Sequence, residues 1–384
     1  MGYFIPSNKL QNLKLYKYQS EDHSFISKYF LKKWWNSFVT IFPRSMAPNV
    51  ITLLGLVFII TNLIMVFYYD PYLNTTSPTW CYFAYAFGLF MYQTFDGCDG
   101  CHARNTGQSG PLGELFDHSI DAINTTLGAI IFSSVLQFGY GYLFLLTQFA
   151  SVCNFYMSTW EEYHTHTLFL SKFSGPVEGI LMIVGVFIIT GVLGPEIFSY
   201  KLFEIGALNL EVDIKTAASI LGLGSLYFNI AQAFVNVSKH YKKVGTPEKI
   251  QGAYEGLIPF VAYYITILSL TTTYPEYLSK FAIPLTLSIG LSIAFSVGRI
   301  ILAHLTIQTF PMVQFPMFVP LLQLISTFTF TKIFGYDYYD TVYSIAWLGF
   351  GVTLGIHAMF INEIIYEITT YLDIYALSIK HKKE

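Results

Sequence analysis

DGCDGCHARNTGQSGPLGELFDHSID, residues 96–121, sets four aspartates, an arginine and two histidines within 26 positions of a chain whose residues are only 12% charged. WCYFAYAFGLFMYQTF (80–95) precedes it and AINTTLGAIIFSSVLQFGYGYLFLL (122–146) follows, both apolar enough for a lipid interior. A carboxylate there is costly unless a partner or an ion compensates it. The stretch therefore reads as the polar ends of two membrane helices, carrying the chemistry of the protein.

Composition extends that reading to the whole chain. Of 384 residues, 53% are apolar and 18% aromatic, and the mean hydropathy is +0.49, values of an all-α polytopic membrane protein. About ten transmembrane helices are predicted, near 49–69, 79–97, 113–137, 140–159, 176–194, 216–238, 256–273, 281–303, 315–333 and 341–366. With a cytosolic N-terminus, this layout puts 17 of the 21 basic residues on the cytosolic side, as the positive-inside rule requires. Both termini and the aspartate cluster are then expected in the cytosol. The segment 24–42 combines Lys28, Lys32 and Lys33 with Trp34, Trp35 and several Phe, which predicts an amphipathic helix lying in the membrane interface. The expected organisation is an N-terminal cytosolic and interfacial segment (1–48), a transmembrane domain (49–370) and a basic tail (371–384). No cleavable signal peptide is read in the first 45 residues. The cysteines do not form a secreted disulfide framework, and Cys98-x-x-Cys101 lacks the βαβ context of a redox motif and the further ligands of a zinc site.

Spacing within the opening stretch carries the chemistry. Asp96 and Asp99 are three apart and Asp117 and Asp121 four apart, so each pair shares one helix face. Two helices meeting at the turn would converge four carboxylates, a repulsive arrangement that one or two divalent cations relieve. All-oxygen ligands select Mg²⁺, Mn²⁺ or Ca²⁺ over zinc. Gly100 and Ala103 leave room beside the backbone, and Arg104 offers a fork for phosphate. Carboxylates, metal and arginine together point to phosphoryl chemistry on a nucleotide or pyrophosphate. Three residues are candidates for a base: Asp121, His118 and Glu178, the last a lone carboxylate just after Gly175-Pro176.

The residues Asp96, Asp99, Gly100, Ala103, Arg104, Gly113, Asp117 and Asp121 fit D-x-x-D-G-x-x-A-R-x8-G-x3-D-x3-D without a departure. The pattern resembles the signature of the CDP-alcohol phosphotransferases. MAPNVIT (46–52), QSGPLGELFDH (108–118), STWEEYHTH (158–166), GPVEG (175–179) and LDIYALSIKH (372–381) extend the resemblance to the eukaryotic, especially fungal, choline and ethanolamine phosphotransferases. The resemblance implies transfer of a phosphoalcohol from CDP-choline or CDP-ethanolamine to diacylglycerol, releasing CMP. It implies Asp96, Asp99, Asp117 and Asp121 as ligands of Mg²⁺ or Mn²⁺, expected as two ions. Asn49, Gly100, Ala103, Arg104 and Gly113 match positions around the CDP-alcohol, and Glu178, His118 and Asp121 are the catalytic candidates, with Glu178 favoured as base. Membrane lipids are the expected surroundings, a nucleic-acid polymer is not an expected partner, and a homodimer is the assembly considered. The endoplasmic reticulum membrane, with the Golgi as a second location, is the expected compartment. The ending KHKKE resembles a dilysine retrieval signal.

Other polar residues have plainer readings. His164 and His166, two apart, do not share a helix face and read as loop residues. His304, His357, Asn362 and Glu363 read as helix–helix hydrogen-bonding groups. Asn74-Thr75-Thr76 is a glycosylation sequon close to the membrane. An inositol-using relative and a cation transporter are the competing readings; the transporter does not account for Gly100, Ala103 and Arg104 at fixed spacing. Choline against ethanolamine, acyl-chain preference and the physiological metal are not legible in the sequence.

Overall fold

Long apolar runs become helices because only intrasegment hydrogen bonds satisfy the backbone where water is absent. The punctuation is visible in the sequence: Pro48, Pro111, Pro176, Pro259 and Pro320 each stand in the first turn of a helix, where the missing N–H costs nothing. The computed structural model describes all residues except 1, 18, 23, 171–174, 206–209 and 381–384. Lys172 and most of the dilysine-like tail lie outside the described residues.

The helices are α1 (Lys32–Phe38), α2 (Pro48–Tyr69), α3 (Thr79–Thr106), α4 (Pro111–Val135), α5 (Tyr142–Thr165), α6 (Pro176–Leu193) and α7 (Ile214–Val244), then α8 (Lys249–Glu255), α9 (Ile258–Thr273), α10 (Glu276–Ser279), α11 (Ala282–Thr306), α12 (Val319–Phe328) and α13 (Tyr338–Leu372). The chain is an all-α multi-pass membrane protein. By length and apolar composition, α2, α6, α7, α8 with α9, α11 and α13 are each able to cross a membrane. α3, α4 and α5 have 28, 25 and 24 residues, enough for the roughly 30 Å hydrocarbon layer at about 1.5 Å per residue. Their polar ends dilute their hydropathy. The stretch 315–333 is helical throughout, as expected, but changes its winding: a tight turn at Phe315–Phe318, the ten-residue α12 and a wide turn at Thr329–Ile333. Pro316 and Pro320 stand in the first turns of the first two pieces.

α11 is the central post, almost wholly buried and packed on α4, α5 and α13. Small residues let it approach its neighbours: a Cβ on Gly290 would come within 2.6 Å of the Thr126 hydroxyl, and one on Gly298 within 2.7 Å of the Phe360 ring. α3 packs along α2 and α6, and α4 along α2 and α5. At the end of the bundle away from the aspartates, Asp70 is fully buried. It accepts from the Asn74 and Thr75 N–H groups at 2.8 Å and from the Ser134 hydroxyl at 2.6 Å. The same end carries a hairpin of β3 (Lys201–Ile205) and β4 (Leu210–Asp213).

Residues 3–42 are less separate from the bundle than their polarity implies. Phe4, Ile5 and Leu13 are buried in the same core as Phe295 and Phe360. Lys9 Nζ donates to the Ile307 carbonyl (3.0 Å) and Asn12 Nδ2 to that of Thr306 (2.7 Å), at the end of α11. Strand β1 (Ser20–Asp22) pairs in parallel with β2 (Leu168–Leu170), Ser20 opposite Leu168. The expected interfacial helix follows as a wide turn at Ser27–Leu31 leading into α1. Its buried residues Leu31, Trp35 and Val39 recur every four positions, leaving Phe25, Tyr29, Phe30 and Trp34 exposed.

Candidate functional site

The site is built on a helical hairpin. Gly107, with φ +66°, ends α3 in the left-handed conformation, which glycine adopts without a Cβ penalty. Gly110 and Pro111 then start α4. This four-residue reversal sets Asp96 and Asp99 of α3 opposite Asp117 and Asp121 of α4.

Asp96, Asp117 and Asp121 are half-buried and offer carboxylate oxygens that all lie within 4.8 Å of one another. Asp99 is 6% exposed and neighbours Asp117, and the Thr52 hydroxyl donates to its Oδ2 at 2.5 Å. The other carboxylates are oriented in the same manner: Gln93 Nε2 donates to Asp96 Oδ2 (3.3 Å) and the Tyr92 hydroxyl to Asp121 Oδ1. Such supporting partners fix ligand geometry at metal sites.

Magnitudes decide what this arrangement needs. Two unit charges 4.8 Å apart repel by about 3.5 kcal/mol at an effective dielectric near 20. Three such pairs approach 10 kcal/mol, comparable with the stability of a whole domain. Among the described residues no Lys or Arg pairs with these carboxylates. Asp117 Oδ1 is buried without a hydrogen-bond partner. An all-oxygen donor set with an orphaned oxygen and no counter-charge fits a hard divalent cation.

The remaining predicted residues fall into three places. Asn49, in the first turn of α2, donates from Nδ2 to the Ala376 carbonyl at 2.9 Å; a Cβ on Gly113 would stand 4.0 Å from its Oδ1. Gly100, Ala103 and Arg104 continue α3 toward its end. Arg104 is exposed, its Nη2 donating to Cys101 Sγ at 3.2 Å. His118 follows Asp117 but faces α5 and α11: its ring meets that of Phe155 edge-on at 6.4 Å, and His304 lies within electrostatic reach. Glu178, in the first turn of α6, is not among the three converging carboxylates. The Ser24 hydroxyl donates to its Oε1, while its Oε2 is buried without a partner.

Several features escaped the sequence reading. Glu114, one turn before His118, lines a narrow cleft between α4, α5 and α11 with Glu162 and His304, and Tyr16 donates to its Oε2 at 2.5 Å. The available signal was the spacing Glu114–Asp117–His118. His164 is not a loop residue: it is buried in the last turn of α5, its Nδ1 2.9 Å from the Tyr241 hydroxyl. Glu363 accepts from the Tyr3 and Phe4 backbone N–H groups rather than from a neighbouring helix. Trp35 lies against Gly97, between the first two aspartates.

The family model for CDP-alcohol phosphatidyltransferase matches residues 45–290. The chain is 51% identical to cholinephosphotransferase 1 of Saccharomyces cerevisiae and 51% identical to choline/ethanolaminephosphotransferase 1 of the same yeast, over the full length of both partners in each case. It is 34% identical to choline/ethanolaminephosphotransferase 1 of Arabidopsis thaliana, again over the whole of each chain. The full-length match and the aspartate hairpin agree, and the chain belongs to the CDP-alcohol phosphatidyltransferase family.

Proposed function

We propose that this protein transfers phosphocholine or phosphoethanolamine from CDP-choline or CDP-ethanolamine to the free hydroxyl of 1,2-diacylglycerol, giving phosphatidylcholine or phosphatidylethanolamine and CMP. The observation that carries the reading is the carboxylate group on the α3–α4 hairpin, in a chain that matches choline and ethanolamine phosphotransferases from end to end.

Asp96, Asp99, Asp117 and Asp121 are the proposed ligands of two ions, Mg²⁺ or Mn²⁺. Bound there, such ions neutralise charge on the pyrophosphate and the departing CMP. Asn49, Gly100, Ala103, Arg104 and Gly113 hold the CDP-alcohol in this reading. The exposed Arg104 guanidinium meets phosphate oxygens, and Gly100 and Gly113 keep side chains out of the nucleotide's path. In the transfer a bond forms between the glycerol oxygen and the phosphoalcohol phosphorus, the bond from that phosphorus to CMP breaks, and the hydroxyl proton passes to a base.

We assign that proton to His118. It adjoins Asp117, and Glu114 stands one turn before it on the same face of α4, a spacing that brings side chains together. Glu178 is the second reading, favoured by its buried, unpartnered Oε2; Asp121 serves in this scheme as a metal ligand. Ten spans, a cytosolic site with both termini on that side, an endoplasmic reticulum or Golgi membrane and a homodimer complete the proposal. So does the division into segments 1–48, 49–370 and 371–384.

Purified protein supplied with diacylglycerol and either CDP-choline or CDP-ethanolamine tests the function. Metal-dependent release of CMP with matching phospholipid is the expected result, and its absence with both donors would refute the reading. For the base, His118→Ala is expected to lower turnover by about 10²–10⁴-fold with CDP-alcohol binding retained. That loss appearing in Glu178→Gln instead would transfer the role.

A further inference from the structure

The N-terminal segment makes a succession of contacts around the site. Phe4 meets α11 and α13, Asn12 the end of α11, Tyr16 the start of α4, β1 the strand after α5, Ser24 the start of α6 and Trp35 the middle of α3. One of these contacts falls on a titratable group of the site. The Tyr16 hydroxyl lies 2.5 Å from Glu114 Oε2, and Glu114 shares its cleft with a second carboxylate, Glu162, and with His304.

We propose that Tyr16 is a positioning residue for the transfer reaction, holding the Glu114 carboxylate on the face of α4 that carries His118. The proposal rests on the functional reading above. A carboxylate beside another carboxylate would turn away from it unless a donor held it, and the phenol supplies that donor. The phenol is itself fixed from both sides. Leu13 is 1% exposed and Asn12 is bonded to the Thr306 carbonyl on one side, and the β1–β2 pairing anchors the other. The tyrosine thus reaches α4 from a segment tied to α11 and to the chain after α5. Glu114 and His118, four apart, are neighbours on one helix face, so the orientation of the first bears on the second. The carboxylate that the Tyr16 hydroxyl meets, Glu114, is neither a proposed metal ligand nor a proposed donor-binding residue, and the loss of that hydroxyl is expected to leave donor binding intact.

Tyr16→Phe in the full-length protein removes the hydroxyl and keeps the ring. A hydrogen bond to a charged group corresponds to a change of about ten- to a hundredfold. Turnover is expected to fall by about that factor, with the KM for CDP-choline or CDP-ethanolamine changed less than about twofold. The combination with Glu114→Gln is expected to be no slower than Glu114→Gln alone, since both act through one carboxylate. A readout independent of activity accompanies these: an apolar carbodiimide with mass spectrometry should label Glu114 faster in Tyr16→Phe than in the parent. Parental turnover in Tyr16→Phe, losses that multiply in the double variant, or unchanged Glu114 labelling would each overturn the proposal. A parent protein that forms no phospholipid would refute the functional reading instead, and the labelling would still decide whether Tyr16 holds Glu114.

Discussion

Gly97→Ala separates the geometry of the site from the stability of the fold. Gly97 stands between Asp96 and Asp99, and a Cβ there would lie 2.5 Å from Trp35 Cδ2 and Nε1 and closer still to Cε2. Ordinary carbon contacts are about 3.5–4.0 Å, so α1 and α3 must separate by about 1 Å or more. Trp35 is poorly able to yield: it is 8% exposed, its carbonyl meets Cys98 Sγ at 3.6 Å, and Trp34 Nε1 donates to Thr94 at 3.1 Å. Overpacking costs about 1–3 kcal/mol, while alanine gains about 1 kcal/mol over glycine inside a helix. The net change in stability is therefore small, at most about 2 kcal/mol. Catalysis is affected more, because a displacement near 1 Å at the reacting groups costs about 10²-fold. The expected outcome is a melting temperature within a few degrees of the parent's and turnover lowered about a hundredfold. Trp35→Ala in the same chain should restore part of that turnover by making room. Phospholipid formation at saturating CDP-alcohol, beside a thermal melt of each variant in detergent, measures both quantities. Parental turnover in Gly97→Ala would refute the coupling of α1 to the aspartates.

Asp117→Asn should melt higher than the parent in chelator, because a mutual repulsion is removed. It should also lose the rise in melting temperature that Mg²⁺ or Mn²⁺ gives the parent; a parent that melts identically with and without metal would contradict the cation assignment. Asp70→Ala strands three donors in a buried corner, with an expected loss of about 3–5 kcal/mol. Turnover per folded molecule should be retained, since Asp70 lies at the opposite end of the bundle; a dead but stable variant would refute this. Cysteines placed in 239–255 and 200–215 should react with an impermeant reagent from opposite sides of sealed microsomes, and labelling from one side would sink the ten-span proposal.

Much of the site was legible because its signals are local. Aspartates three and four apart lie within one stretch and specify carboxylates face to face on two helices; the run of α3 to Thr106, beyond the predicted end near 97, was not read, although Gly107 and Gly110-Pro111 mark the reversal. What stayed hidden depends on distance along the chain. Phe4, Ile5 and Leu13 have no helical or strand period, so nothing in their spacing marks them as core. Tyr16 meets Glu114 across 98 positions, and β1 meets β2 across a still longer separation. The two-residue spacing of His164 and His166 pointed to a loop, yet Glu161, Glu162 and His164 are buried in α5. There tertiary partners such as Asn236, whose Nδ2 donates to Glu161 at 2.6 Å, replace the water that the residue types alone imply.

The balance of forces explains why the site needs the N-terminal segment at all. Three carboxylates, when all are ionised, repel by about 10 kcal/mol in total and oppose the approach of α3 and α4. Tyr92 and Gln93 of α3 and Thr52 of α2 each supply one hydrogen bond to a carboxylate, worth about 1.5–3 kcal/mol apiece. The helices are also clamped from outside: α11 against α4, α2 and α6 against α3, and the segment carrying Tyr16, Ser24 and Trp35, which grips α4, α6 and α3 at the level of the aspartates. Phe25, Phe30 and Trp34 of this segment stay exposed, an apolar face suited to a lipid surface. The aspartate hairpin and α1 meet where Trp35 lies against Gly97, and a perturbation of either is expected to reach the other there.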